Sequence, residues 1–339
     1  MVEIELSNAE VTTNGMTVST GSQENVGCKS LDIQPERNEF ESSSVELDLD
    51  LVEKLRALLR ADFEVNADKY SEIHFSELMD ERSPSSCWRY LLHCKGNIDE
   101  TLALIKAALV WRKENSVDEL RNEELIKEFW LHAPVMFTGV SRDGNYDVLY
   151  VIGKNYRKPE AILRPVIRKF FINLLFSWDR KHKDDLRKFY FIFDVSETGL
   201  RNIDLDYMSW LVSIRDYFPQ RPHRILVIGV PFIVRPLVQL VISWLPENFS
   251  NIVQCGTFEQ LVEPNIDASN LPAEISGQED ESYRLAPLDA LWAAQSAFYS
   301  VPEMRRAIEE AIGFSVSTER RAKLQSMQMD HESMFVETS

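Results

Sequence analysis

At 339 residues, 44% hydrophobic and 10% aromatic with only 12 glycines, the chain can bury one large core or two small ones, which excludes fibrous and low-complexity classes. Its formal charge of −17 argues against nucleic acid as a partner, because phosphate binding needs a basic face that releases counterions. The four cysteines (Cys28, Cys87, Cys94, Cys255) show no CxxC spacing and no histidine pair at zinc-ligand distance, so no metal is expected and the thiols are expected free, as in a reducing cytosol.

Residues 1–46 are rich in Ser, Thr, Asn, Glu and Gly with almost no aromatic side chains, and are expected to be a disordered acidic tail. The first stretch, Met1-Val-Glu-Ile-Glu-Leu-Ser7, has neither a basic nor an apolar leader region, so no secretory signal is expected. Helical periodicity begins at Leu51, Leu55, Leu58 and Leu59, behind an acidic N-cap candidate at Asp50, and predicts a helix over 51–64. Ser83-Pro84 offers the next N-cap, with Trp88, Leu91 and Leu92 following and a stop at Gly96. Asn97 and Glu100 resemble a capping box before Ile98, Leu102, Ile105 and Leu109, a helix ending near Trp111-Arg112. An amphipathic piece over 123–131 completes a helical N-terminal domain, residues 47–131.

The pattern changes at Pro134. Residues 135–137 and 146–152 read as strands joined by a polar turn over 141–145; a long helix over 159–178 follows, then the apolar strand 189–193 ending in Asp194, then a helix over 204–218. Residues 224–246 are the most apolar run and are long enough to span a membrane. Pro231, Pro236 and Arg235 argue otherwise: residues 225–230 read as a buried strand and 232–245 as a helix apolar around its whole circumference. A last strand is expected over 251–255. Beyond it, 277–281 look like a linker, and 288–299 and 302–312 are weakly amphipathic helices of a C-terminal tail, residues 278–339. Alternating strands and helices predict an α/β fold whose mainly parallel sheet is made mixed by the hairpin.

Candidate chemistry is thin. Asp194-Val-Ser-Glu-Thr198 stands where α/β sheets place ligands and fits a DxSx[ST] cation pattern, but no partner loop supplies further oxygens, so Asp194 is expected to cap the following turn instead. There is no GxSxG elbow, no GxGxxG after a strand and no Walker loop, so neither catalysis nor a cofactor is expected. Two basic runs, Arg180-Lys-His-Lys183 with Arg187-Lys188, and Arg164 with Arg168-Lys169, read as solvated faces, with lipid headgroups as the alternative contact. The all-round apolar helix is either buried on every side or placed between an interior apolar cavity and a membrane.

The order of Trp111-Arg112, Phe191-Ile-Phe-Asp194 with Gly199, Tyr217-Phe-Pro219, Val230-Pro-Phe232 and Leu271-Pro-Ala-Glu-Ile-Ser-Gly277, over about residues 50–277, resembles the CRAL-TRIO lipid-binding family, in the manner of phosphatidylinositol-transfer proteins. The segments 111–120, 193–199, 203–206 and 243–246 look most like members that also carry a motile sperm domain and a membrane anchor, segments expected to be absent here. The resemblance implies a CRAL-TRIO domain over 132–277 that binds a phospholipid or other lipid, docks transiently on membranes from the cytoplasm, and carries a mobile gate helix. The pocket lining it implies is Tyr150, Ile152, Phe171, Leu174, Phe191, Phe193, Trp210, Ile214, Ile228, Val230, Ile233 and Val241. The gate residues are Phe232, Leu237, Val238, Trp244 and Leu245. Phosphatidylinositol-exchanging members carry a Glu and a Lys where this chain has Gln220 and Asn251, which argues against a phosphoinositide headgroup. An adaptor that keeps the fold for protein contacts through its tails is the competing expectation.

Overall fold

The structure is a computed structural model that describes residues 47–120, 129–130, 134–277 and 302–313, with residues 322 and 326. The expected disordered tail (1–46), linker (277–281, apart from Gly277) and helix over 288–299 lie outside the described residues; of the helix expected over 123–131, only Phe129 and Trp130 are described, both helical.

Four helices open the described chain: α1 (Leu49–Asn66), α2 (Glu72–Met79), α3 (Ser85–His93) and α4 (Ile98–Glu114). Asp48, rather than Asp50, caps α1, accepting from the Leu51 amide at 2.9 Å. The sequence reading missed α2, because Ile73, Phe75, Leu78 and Met79 are spread around the helix and show no period; Ser71 caps it through the His74 amide. Asn97 caps α4 through the amides of Asp99 and Glu100. Val52, Leu55, Leu59, Leu78, Leu91, Ile105 and Leu109 form the core between these helices.

The sheet follows: β1 (Val135–Val140), β2 (Tyr146–Ile152), α5 (Arg164–Lys181), β3 (Lys188–Asp194), α6 (Leu205–Ile214), β4 (Pro222–Ile228), α7 (Arg235–Ser243), α8 (Glu247–Ser250), β5 (Val253–Gly256), and the short helices α9 (Phe258–Leu261) and α10 (Ala273–Ser276). The five strands lie in sequence order. β1 pairs antiparallel with β2, and every later pair is parallel, so the sheet is mixed and mainly parallel as expected. The run over 224–246 is a strand, a glycine turn and a nine-residue helix. Among the described residues no helix is long and apolar enough to cross a membrane.

Side chains alternate across the strands. Val148, Tyr150, Ile152, Tyr190, Ile192, Leu226 and Ile228 face one way and pack with Val262, Ile266 and Leu271. Leu149, Phe189 and Phe191 face the other way, toward α5 and α6. Helix α11 (Pro302–Gly313), expected in a separate tail, docks on this second core: Ala307 and Ile308 are buried in it, and Arg306 reaches Glu160 at 3.5 Å.

Candidate ligand cavity

The cavity lies on the second face of the sheet. Its floor is Phe189, Phe191 and Phe193 of β3, Ile225 and Val227 of β4, and Val253 of β5. These positions share a face because the register sets Phe191 beside Ile225 and Phe193 beside Val227. One wall is Phe171 and Leu175 of α5, another Met208, Leu211, Val212 and Ile214 of α6, and Phe249 of α8 closes one end. The cavity between these walls has a volume of about 190 Å³.

Over it lies the segment 232–245. Leu237, Val238, Val241, Ile242 and Leu245 line the cavity, and their i, i+1, i+4, i+5, i+8 spacing puts them on one helical face. The other face is turned to solvent: Phe232 is 85% exposed and Ile233 59%, with Leu240 and Trp244 exposed beside them. The expectation of a helix apolar around its whole circumference is corrected here: Gln239 and Ser243 share the exposed face of α7, so the helix is amphipathic, and the exposed apolar surface is concentrated at Phe232, Ile233, Leu240 and Trp244.

Of the residues expected to line the pocket, Phe171, Phe191, Phe193, Ile214 and Val241 do so, and of the gate residues Leu237, Val238 and Leu245 do. The others stand elsewhere. Tyr150, Ile152 and Ile228 are on the opposite face of the sheet, because their strands are buried on both sides and the sequence offers no alternation to tell the faces apart. Leu174 and Trp210 pack against the core beside the cavity, Trp210 edge-on to Phe171 at 6.0 Å and under the Arg168 guanidinium. Val230 is half-buried in the turn after β4, and Ile233, like Phe232 and Trp244, points to solvent. Gln220 (left-handed, φ 58°) and the exposed Asn251 are not among the lining residues.

The sequence reading missed two charged lining residues, Arg215 and Arg221, because charge is not a signal for an apolar cavity. Arg221 is 1% exposed and its nitrogens are committed: to Asp179 Oδ1 at 2.6 and 2.5 Å, and to the carbonyls of Arg187 and His182 at 3.0 and 3.2 Å. Its guanidinium also lies over Trp178, 4.9 Å from the ring centroid. The missed apolar positions, Ile225 and Val227 among them, follow from parity once Phe191 and Phe193 are known to face the cavity.

Asp194 has a structural task. One carboxylate oxygen accepts from the Tyr150 hydroxyl at 2.9 Å and the other from the Ser196 amide at 2.9 Å, while the Thr198 hydroxyl donates to the Val195 carbonyl. Burial, with Asp194 adjacent, pushes the Tyr150 phenol far above its ordinary range, so Tyr150 is a constant donor. Among the described residues no three His, Cys, Asp or Glu side chains gather as metal ligands.

A family model described as the CRAL/TRIO domain matches residues 148–277. Among solved structures, the crystal structure of Sfh5 matches with a TM-score of 0.54 at 15% identity, covering 75% of this chain and 97% of that one. At that identity the structural likeness speaks to fold, and it extends beyond the sheet to most of the chain. Residues 148–277, the segment that supplies every wall of the cavity, are thus similar to the CRAL/TRIO domain.

Proposed function

We propose that this protein holds one hydrophobic ligand, a phospholipid or other lipid, in the cavity, and that the 232–245 segment is a gate that moves at a membrane to exchange it. Residues 47–131 form a helical cap and 132–277 the binding domain; no catalytic step is assigned. The observation that carries this reading is the gate segment itself, apolar toward the cavity and exposing Phe232, Ile233, Leu240 and Trp244 to solvent beside Gln239 and Ser243. Each methylene withdrawn from water is worth about 0.8 kcal/mol, so an acyl chain needs a shielded apolar space and gains steeply from one. The exposed parts of Phe232, Ile233, Leu240 and Trp244 would together yield on the order of 4 kcal/mol on entering a bilayer, which suits reversible docking and not permanent anchoring. An adaptor that had lost its ligand would gain by filling the space, since unfilled apolar volume costs stability; the open apolar cavity favours a binder.

Transfer of a fluorescent phospholipid between donor and acceptor vesicles tests the gate. The Phe232→Ser, Trp244→Ser double variant removes outward side chains only, and is expected to slow transfer about tenfold or more while leaving the lipid bound per chain unchanged. Transfer at the wild-type rate would show that the outer face of the gate does not meet the bilayer.

A further inference from the structure

Polar groups on the cavity wall are already occupied. Among the described lining residues only Arg215 and Arg221 carry charge, and the protein holds both. Arg221 gives its nitrogens to Asp179, Arg187 and His182. Arg215 gives its terminal nitrogens to the Val212 carbonyl and to Asp216 Oδ2 at 3.1 Å, and its Nε is closed to solvent. The one other heteroatom in a lining side chain is the Met208 thioether, a weak acceptor. The backbone is no more available. Strands β3, β4 and β5 of the floor bond to one another, the Val195 amide reaches the Ile228 carbonyl, and the walls α5, α6 and α7 are helices bonded internally.

A polar group drawn into this space would leave water and find no partner, which costs binding. The volume sets a second bound. A dry apolar cavity of about 150 Å³ takes one benzene ring, so the 190 Å³ here suits a single slim chain and not two acyl chains side by side. Resting on the lipid reading of the cavity, we propose that it takes one hydrocarbon chain of its ligand and reads no headgroup. The polar end stays outside the mouth, in water or at a membrane surface, and ligands are chosen by the length and girth of the chain. The ligand class is single-chain hydrophobes of any end group, or one chain of a larger lipid.

The test is displacement of bound cis-parinaric acid from the delipidated full chain, with affinities referred to free ligand. Four probes share an 18-carbon chain and differ in their end: 1-octadecene, oleyl alcohol, oleic acid and 1-oleoyl lysophosphatidylcholine. Their affinities should agree within about fivefold, whereas a headgroup that the cavity hydrogen-bonded would gain about tenfold or more. In a second series, straight-chain alcohols of increasing length should gain about fourfold per methylene until the chain fills the cavity, and nothing beyond that length. Val212→Phe, which narrows the α6 wall, should bring the plateau to a shorter chain and leave shorter alcohols unaffected. If that variant does not fold, the two wild-type series decide. A tenfold preference for one end group, or affinity that climbs with length and never levels, overturns chain selection and leaves the lipid cavity standing. A plateau that a folded Val212→Phe does not move, or failure of every probe to displace, overturns the cavity reading and chain selection with it.

Discussion

His223, in β4, stacks on Tyr146 with ring centroids 3.9 Å apart and meets Tyr190 edge-on at 5.2 Å. Burial, reinforced by the Arg224 and Lys188 charges, lowers its pKa from 6.5 to about 4. The unfolded chain therefore takes up a proton near pH 6.5 that the folded chain refuses until about pH 4. Stability from this site is fully present above pH 6.5 and is lost progressively as pH falls through that window, by up to about 3 kcal/mol. His223→Phe keeps the stack and removes the titration, so its urea midpoint should fall less steeply with acid than that of wild type. His74, buried beside Arg112, shifts in the same direction and leaves a residual slope. Equal slopes in the two proteins would place the acid sensitivity elsewhere. At this scale sequence was informative where a residue type has one dominant use: Asp194 at a strand end was read as a turn cap, and it bonds the Ser196 amide. It was uninformative for Arg221, whose partners Asp179, His182 and Arg187 come within reach only in the fold.

The existence of the strands and long helices was legible; that of α2 and the short helices was not, nor was element facing. The β-branched run before Pro231 and the helix-spaced run after it were separable by eye, and the structure places a strand and a helix there. A strand buried on both faces carries no alternation, however, so Ile228 was taken for a cavity residue when its neighbour Val227 is one. The strand ends two residues earlier than expected because Gly229 adopts φ 67°. A Cβ there would come within 1.9 Å of Ser196 Oγ, so only glycine joins β4 to the gate without strain. Gly229→Ala should cost roughly 1–3 kcal/mol by chemical denaturation, and adding Ser196→Ala should recover only the part due to Oγ, since the residue 196 Cβ would still lie 2.9 Å away. A neutral Gly229→Ala would mean that this turn is not fixed as described.

Across the whole molecule, the helical region and the sheet are joined through Asp179. Its carboxylate receives Arg89 of α3 at 2.7 Å and Arg221 at 2.6 Å, and both cations are nearly inaccessible to water. Around it, Ser83 and Ser85 donate to the carbonyls of Lys183 and Asp184, and Trp111 stacks on Tyr217 at 4.7 Å. Removing the shared carboxylate strands two buried cations, so Asp179→Ala should lower stability by about 3–5 kcal/mol in a urea titration. A loss under about 1 kcal/mol would mean that the pairs are solvated and weak. None of this bridge was visible in sequence, because residues 89, 179 and 221 meet only once the helices have packed on the sheet. The order of short motifs along the chain, from Trp111-Arg112 to Leu271–Gly277, was by contrast enough to suggest a resemblance to the family.

The lipid-binding cavity is tested most directly by native mass spectrometry of the purified full chain after incubation with mixed-lipid vesicles, beside a Val241→Trp variant that fills the cavity from the gate. A cavity that holds lipid predicts one lipid mass retained per wild-type chain and its loss from the folded variant. Wild type that carries no lipid, or a variant that retains it undiminished, would contradict the assignment of the cavity as the binding site.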